Sequence, residues 1–417
     1  MKTTIMIFVE SENGFGHFNV VDQLAGALSR QGCETIVVSG SLWHAGQAFR
    51  FGHATTVELP VSPSRGTRPA LPEDGFVEAK RLERESSARR QAVHAACRDF
   101  RPSLILFEIY PFRMLYRDHD RHALDAFYAE RGHRPPVLCL SRDIVFSIDP
   151  AGTVSRLNDH FDRVIVRGDG SANELADCMP EFSRIEIPVE YLGSIVAPMP
   201  QVAAQRPGER PIVVFAGGGH RAGDDLFLTT AILSKERSDV GRDRPWHLFV
   251  SANCPDDRFR AYASLAAGHG IDIHRPWPNR AFKQLLASAR AAIIRGGYNS
   301  THELMRAGVP FVTVPRESLG SNEEQAMRAR LTARAGYGAL VCEDELNGPD
   351  AGARLADALD RIATRPGASP EKASFDGAER IAGRLRELAC QARLPAEDGS
   401  GAAYDLPRKG ERDPHAN

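Results

Sequence analysis

The stretch Ile293-Ile294-Arg295-Gly296-Gly297-Tyr298-Asn299-Ser300-Thr301-His302-Glu303-Leu304-Met305-Arg306-Ala307-Gly308-Val309-Pro310-Phe311-Val312-Thr313-Val314-Pro315-Arg316 decides the fold. The apolar run through Ile294 reads as a strand, and the paired glycines after it as a turn. A short helix follows, stopped by Gly308 and Pro310, and the apolar run from Phe311 is a second strand. Strand, turn, helix and strand in that order form one unit of a parallel α/β sheet, whose helix N-termini face the crevice where ligands bind. The unit predicts a small-molecule site of the kind that takes a nucleotide. Ser300 and Glu303 stand three residues apart on the first turn of that helix, which permits two roles for the carboxylate. It closes an ordinary capping box with Ser300, or it accepts the two ribose hydroxyls of a nucleotide; the spacing is compatible with both.

The same alternation runs through the chain on either side. Apolar runs near 5–9, 35–38, 104–107, 137–140 and 163–166 read as strands, and so do 212–215, 247–250 and 271–274. Phe18, Val21, Leu24, Ala25 and Leu28 share one face of a first helix that Gly32 ends, and 78–100 reads as a long helix. Between the two series the composition changes, with Pro198, Pro200, Pro207 and Pro211 and no periodicity. The expected organisation is α/β: two Rossmann-like domains facing across a cleft, at 1–196 and 211–373, joined by a linker at 197–210. A helix at 374–393 follows, then a Gly-, Pro- and charge-rich tail at 394–417 expected to be disordered.

Bulk properties fit this plan. A chain of 417 residues is long for a single core, which favours two domains. Net charge of −2 gives no reason to expect nucleic acid or an anionic membrane as partner. The seven cysteines are scattered singly, without Cys-x-x-Cys pairs or matched histidine spacing, so reduced thiols are expected and no metal. The apolar run at 5–9 is too short for a signal-peptide core, and no run approaches the length that spans a bilayer. A cytoplasmic protein without an integral membrane segment is expected.

Both series open with a strand followed by a glycine loop that contains a histidine: Glu10-Ser11-Glu12-Asn13-Gly14-Phe15-Gly16-His17, and Ala216-Gly217-Gly218-Gly219-His220. Glycines let the backbone approach a ligand closely. Gly14-x-Gly16 is not a dinucleotide fingerprint, because the third glycine position is Asn19 and no acidic residue ends strand two, so no nicotinamide or flavin cofactor is expected. His17 lies where a general base would enter the crevice, or it simply caps the turn. Glu108 and Asp143 also follow apolar runs; carboxylates there orient His17, contact a polyol acceptor, or cap the next segment. The polar loop after Arg316 leads through Glu323 and Glu324 to Gln325, whose amide faces a sugar or only a solvated helix entrance.

Taken together, Gly14-x-Gly16-His17, Glu108-x-x-Pro-Phe, Ser141-Arg-Asp-Ile, Phe161-Asp-Arg-Val, the triple glycine after the linker, and Arg295-Gly-Gly-x-x-Ser-x-x-Glu303 with Ala-Gly-x-Pro and Gln325 resemble GT-B glycosyltransferases of family 28. The resemblance implies an inverting, metal-independent transfer of a hexose-type sugar from a nucleotide-diphosphate donor, UDP-linked, to a small-molecule or glycan hydroxyl. It implies that Glu303 holds the ribose. Gly217, Gly218 and Gly219, with the helix start at Ser300 and Thr301, would meet the diphosphate, and His220, Arg295, Gly296, Gly297 and Asn299 would belong to the same donor site. Gln325 and Glu324 would face the donor sugar, although the family carries aspartate or glutamine where this chain has Glu324. His17 would be the base, with Glu108 beside it and Gly14, Gly16 and Asp143 on the acceptor side. The first series lacks the apolar or basic amphipathic patch a lipid-linked acceptor calls for, so a soluble acceptor is expected. Nucleotide-sugar epimerases, hydrolases and non-catalytic nucleotide-sugar-binding modules share the architecture and remain the alternatives.

Overall fold

The computed structural model describes residues 3–11, 16–44, 47–60, 75–113, 118–131, 134–201, 208–217, 224–251, 254–275, 279–316, 323–364 and 374–392. The first domain runs β1 (Thr3–Phe8), α1 (Gly16–Arg30), β2 (Cys33–Ser39), a small antiparallel pair β3 (Trp43–His44) and β4 (Gln47–Ala48), β5 (Thr55–Glu58), α2 (Gly75–Phe100), β6 (Leu104–Glu108), α3 (Asp118–Arg131), β7 (Val137–Arg142), α4 (Pro150–His160), β8 (Arg163–Arg167), α5 (Leu175–Cys178) and β9 (Val189–Tyr191). Its sheet has the order β5-β2-β1-β6-β7-β8-β9 with parallel pairing between neighbours. Alternation along β1 divides the core. Met6 and Phe8 join the cluster beneath α2, α3 and α4, whereas Ile5 and Ile7 join Phe18, Val21, Leu24 and Leu28 of α1 on the other face.

The second domain runs β10 (Ile212–Phe215), α6 (Asp224–Ser234), β11 (Trp246–Phe249), α7 (Asp256–Gly268), β12 (Ile271–His274), α8 (Asn279–Ser288), β13 (Ala291–Ile294), α9 (Tyr298–Ala307), β14 (Phe311–Thr313), α10 (Glu323–Arg334), β15 (Gly338–Leu340) and α11 (Ala351–Ala363). The parallel sheet has the order β12-β11-β10-β13-β14-β15. In both sheets successive strands run outward to one side and then restart on the other. The order therefore reverses between β1 and β6 in the first domain and between β10 and β13 in the second, the positions where ligands bind in open α/β sheets.

All the expected strands are present. The periodicity missed the two-residue strands β3 and β4, and also β5, β9 and β15, three- or four-residue edge strands with mostly half-exposed or exposed side chains that carry no apolar run. The capping-box reading of Ser300 does not hold. Gly297 is the residue before the helix, Ser300 lies inside the first turn, and its hydroxyl donates back to the Gly297 carbonyl at 3.1 Å. Glu303 consequently sits a turn deeper than the spacing implied. The helix does end at Gly308, in the left-handed region at φ 65°.

The last helix, α12 (Gly377–Gln391), returns to the first domain. Ile381, Ala382, Leu385 and Ala389 complete the apolar layer of α1 and β1. The return is locked by hydrogen bonds from Ser194 N to Ser374 O at 2.9 Å and from Gly377 N to Ser194 O at 3.2 Å. Gly377 lies so close to this crossing that a Cβ would stand 2.2 Å from the Gly193 carbonyl oxygen. Leu385 is fully buried in this layer. Leu385→Ala is expected to destabilise the protein by about 2–5 kcal/mol, checked by urea unfolding followed by circular dichroism.

Candidate active site

Three consecutive strands of the first sheet end in a charged residue: β6 in Glu108, β7 in Arg142 and β8 in Arg167. Parallel strands align these ends beside His17, the second residue of α1. The Glu108 carboxylate is fully buried and accepts from both sides, 2.7 Å from His17 Nδ1 through Oε2 and 3.0 Å from Arg167 Nη2 through Oε1. Arg142 Nη2 lies 2.8 Å from His17 Nε2. A guanidinium can only donate, so Nε2 accepts and the imidazole is neutral with its proton on Nδ1, donated to Glu108. Burial lowers the pKa of His17; Glu108 opposes this, and Arg142 and Arg167 reinforce it. Burial alone would raise Glu108, but pairing with His17, then Arg167 and Arg142, holds its carboxyl down at about 2.

The second domain meets this cluster directly. Arg142 Nη1 donates to both oxygens of Glu324, each at 2.7 Å, and Glu324 also accepts from Arg328 Nη2 at 2.7 Å. Arg328 Nη1 reaches the Gly296 carbonyl at 3.0 Å. Glu324, expected beside the donor sugar, thus stands in a buried ion pair between the domains, its carboxyl held far below the usual range by Arg142 and Arg328 against the effect of burial. Asn299 Nδ2 donates to the Gly16 carbonyl at 3.3 Å, which brings the start of α9 against the residue preceding His17. The Tyr298 hydroxyl donates to Arg167 O at 3.3 Å, and the Arg167 guanidinium lies 4.8 Å from the Tyr298 ring centre. Asp143 is placed in this contact as well, 3.9 Å from His302 Nε2 and from Arg328 Nη2, with Oδ1 buried and without a hydrogen bond.

At the reversal point of the second sheet the backbone turns sharply. Gly217 after β10 and Gly296 after β13 have φ of 99° and 76°, a conformation glycine adopts without strain. Behind them Asp224 is sandwiched between two arginines. Arg316 donates to Asp224 Oδ1 at 2.8 Å and to the Ala216 carbonyl at 2.7 Å, and Arg295 donates to Asp224 Oδ1 at 3.3 Å and to Glu343 Oε1 at 2.6 Å. Arg295 is 2% exposed, so it braces the turn from below instead of reaching a ligand in the cleft. Gln325 Oε1 accepts from the Arg316 backbone at 3.2 Å. The buried Thr301 hydroxyl has no hydrogen-bond partner. Glu303 pairs with Lys283 Nζ at 3.7 Å, and burial raises its carboxyl although Lys283 pulls it down. Gly14, Gly218, Gly219 and His220 lie outside the described residues.

The structure thus brings together His17, Glu108, Gly16, Asp143, Asn299 and Glu324, and sets Gly296, Gly297, Ser300 and Thr301 at the start of α9, with Gly217 just after the end of the neighbouring strand β10. Sequence reasoning passed over Arg142, Arg167, Arg328, Asp224 and Arg316. A signal existed for the first two, since each ends a strand beside the strand that ends in Glu108. Among the described residues no three His, Cys, Asp or Glu side chains are grouped as a cation site would need.

Residues 279–384 match the glycosyltransferase family 28 C-terminal domain. Similar solved structures span nearly the whole chain. CalG4, the calicheamicin glycosyltransferase, is 19% identical over 94% of this chain and 95% of its own, with a TM-score of 0.57. MurG of Acinetobacter baumannii is 14% identical over 93% of this chain and all of its own, with a TM-score of 0.59. A UDP-glucosyltransferase from Polygonum tinctorium capable of glucosylating indoxyl is 16% identical over 95% and 99%, also with a TM-score of 0.59. No curated protein sequence matches the chain. The fold is GT-B, two Rossmann-like domains facing across a cleft. Within that fold, residues 279–384 are similar to the C-terminal domain of glycosyltransferase family 28.

Asp224, itself buried, balances two buried arginines. Asp224→Asn is expected to cost about 3–5 kcal/mol of stability by leaving a buried positive charge uncompensated, read from the denaturation midpoint.

Proposed function

We propose that the protein transfers a sugar from a nucleotide-diphosphate donor, UDP-linked, to a hydroxyl of a soluble acceptor, with inversion and without a metal ion. The observation that carries this reading is the contact at Asn299 and Gly16, which sets a neutral histidine of one domain against a helix N-terminus of the other. A base and an anion-stabilising end are what the two ends of a displacement require. Nε2 of His17 takes the proton of the acceptor hydroxyl as its oxygen attacks the anomeric carbon. The bond from that carbon to the diphosphate breaks on the opposite face, and the leaving group departs with the electron pair. The imidazolium so formed is balanced by Glu108, which stays ionised through the cycle. The departing charge faces the free N–H groups at the start of α9, the backbone at Gly217 and Gly296, and the Arg316 guanidinium behind them.

Glu303 accepts the ribose hydroxyls in this reading, held in place by Lys283. The UDP assignment draws on the UDP-glucosyltransferase that shares the fold. A soluble acceptor is supported by the surface. Among the described residues the exposed large apolar side chains, Ile148 and Leu233, lie in different domains, so they form no common patch. No helix among the described residues is long and apolar enough to cross a membrane, which is compatible with a cytoplasmic setting.

Calorimetry with UDP, GDP, TDP and ADP in EDTA tests the donor site. UDP is expected to bind, and Glu303→Ala to weaken it by about 1–3 kcal/mol; indifference of every nucleotide to Glu303 overturns the reading. With UDP-sugars and a panel of soluble alcohols, His17→Ala is expected to lower kcat by about 10²–10⁴-fold while UDP binding persists. Free sugar appearing in place of a glycoside would assign hydrolysis. The base must be neutral and its pKa is lowered, so kcat/KM is expected to be flat through neutrality. It should fall only as the pH drops below the ordinary imidazole range.

A further inference from the structure

We propose that Arg142, gripped from the opposite domain by Glu324, is a positioning residue that keeps Nε2 of His17 unprotonated, so that the base is set only while the two domains are closed. This deepens the reading of His17 as the base and rests on it.

A histidine beside a buried carboxylate is normally drawn toward the imidazolium, because Glu108 accepts from Nδ1 and favours positive charge on the ring. A ring already protonated at Nε2 accepts no proton from a hydroxyl. The Arg142 guanidinium on the other side of the ring reverses this preference: it places a positive charge and a donor N–H against Nε2, so a second proton there meets both a like charge and an occupied lone pair. The charged groups facing His17 are Glu108 on β6, Arg142 on β7 and Arg167 on β8, with Glu324 of α10 behind Arg142. Asn299 of α9, a neutral group, bonds the carbonyl of the preceding residue, Gly16.

Within its own domain Arg142 feels the attraction of Glu108 and Asp143, but Arg167 is a like charge on the neighbouring strand and the two Glu108 oxygens already accept from His17 and Arg167. The grip comes from Glu324, both of whose oxygens lie 2.7 Å from Arg142 Nη1 and which is fixed in turn by Arg328, whose Nη1 donates to the Gly296 carbonyl at the foot of α9. Separation of the domains removes Glu324, frees Arg142 and leaves His17 to Glu108. In the closed state the acceptor hydroxyl takes the place of Nη2 as the donor to Nε2, with Nη1 remaining on Glu324.

The test needs no turnover. The full chain is labelled with ¹⁵N-histidine, the His17 imidazole signals are assigned by their loss in His17→Gln, and their titration is followed in wild type, Arg142→Met, Arg142→Lys and Glu324→Gln. The expected result is a midpoint moved upward in Arg142→Met, returned toward wild type in Arg142→Lys, and moved upward in Glu324→Gln although Arg142 is present. A midpoint unchanged in Arg142→Met overturns the proposal, and one unchanged or lowered in Glu324→Gln overturns the cross-domain grip. Should Arg142→Met not fold, Arg142→Lys, which retains the charge and a donor, and Glu324→Gln still separate the two outcomes. Where turnover is measurable, Arg142→Met is expected to shift the acid limb of the kcat profile upward and leave KM for the nucleotide sugar unchanged. Failure of the transfer reading itself appears separately, as absent nucleotide binding with the titration shifts intact.

Discussion

Burying charge is costly, and the cleft of this protein buries a great deal of it. Glu108, Arg167, Glu324 and Arg328 are each at most 5% exposed. Removing such ions from water is offset only where each meets an opposite charge in good geometry. Here the pairing runs as a chain, from Arg167 to Glu108, through His17 to Arg142, to Glu324 and to Arg328. The pairing crosses the cleft twice: Glu324 of the second domain is shared between its own Arg328 and Arg142 of the first, and Asp143 of the first stands 3.9 Å from Arg328. The apolar clusters lie within the domains, so these charged contacts are what joins the ends of the two sheets.

The two domains have the same architecture and opposite chemistry. At the strand reversal of the first sheet the side chains are charged or titratable, His17 and Glu108 with Arg142 and Arg167 beside them. At the reversal of the second, glycine replaces side chain, and what faces the cleft is backbone and helix end, an environment for negative charge. The asymmetry suits a displacement in which one partner loses a proton and the other gains an electron pair. It also explains why the second domain tolerates so little bulk at its turn: a Cβ on Gly296 would lie 2.8 Å from the Thr313 methyl group.

Much of this was legible in the sequence, and the reasons differ by level. Buried central strands such as Ile212–Phe215 and Ala291–Ile294 announce themselves as apolar runs because both faces are covered. His17, Glu108 and the turn at Gly296 were found because they follow such runs, where chemistry collects in parallel sheets. The exposed edges, β5, β9 and β15, left no such trace. The arginines were missed because a lone arginine at a strand end is indistinguishable in sequence from a solvated one. Only the fold reveals that Arg142 and Glu324, 182 positions apart, share a bond. The local capping pattern at Ser300 and Glu303 misled for the converse reason: the turn at Gly297 starts the helix earlier than the polar residues suggest.

The return of α12 to the first domain has a consequence for how such a protein is inherited. Residues 377–391 supply part of the apolar layer that β1 and α1 share, so the first domain is written in two pieces with the second inserted between them. A recombination event that exchanged everything after residue 196 would leave the ancestral first domain with a foreign or missing lid on one face of its sheet. Only an exchange bounded on both sides, within the crossings near 195 and 376, would carry a complete donor module from one lineage to another. The topology therefore favours diversification by internal replacement over the shuffling of tails.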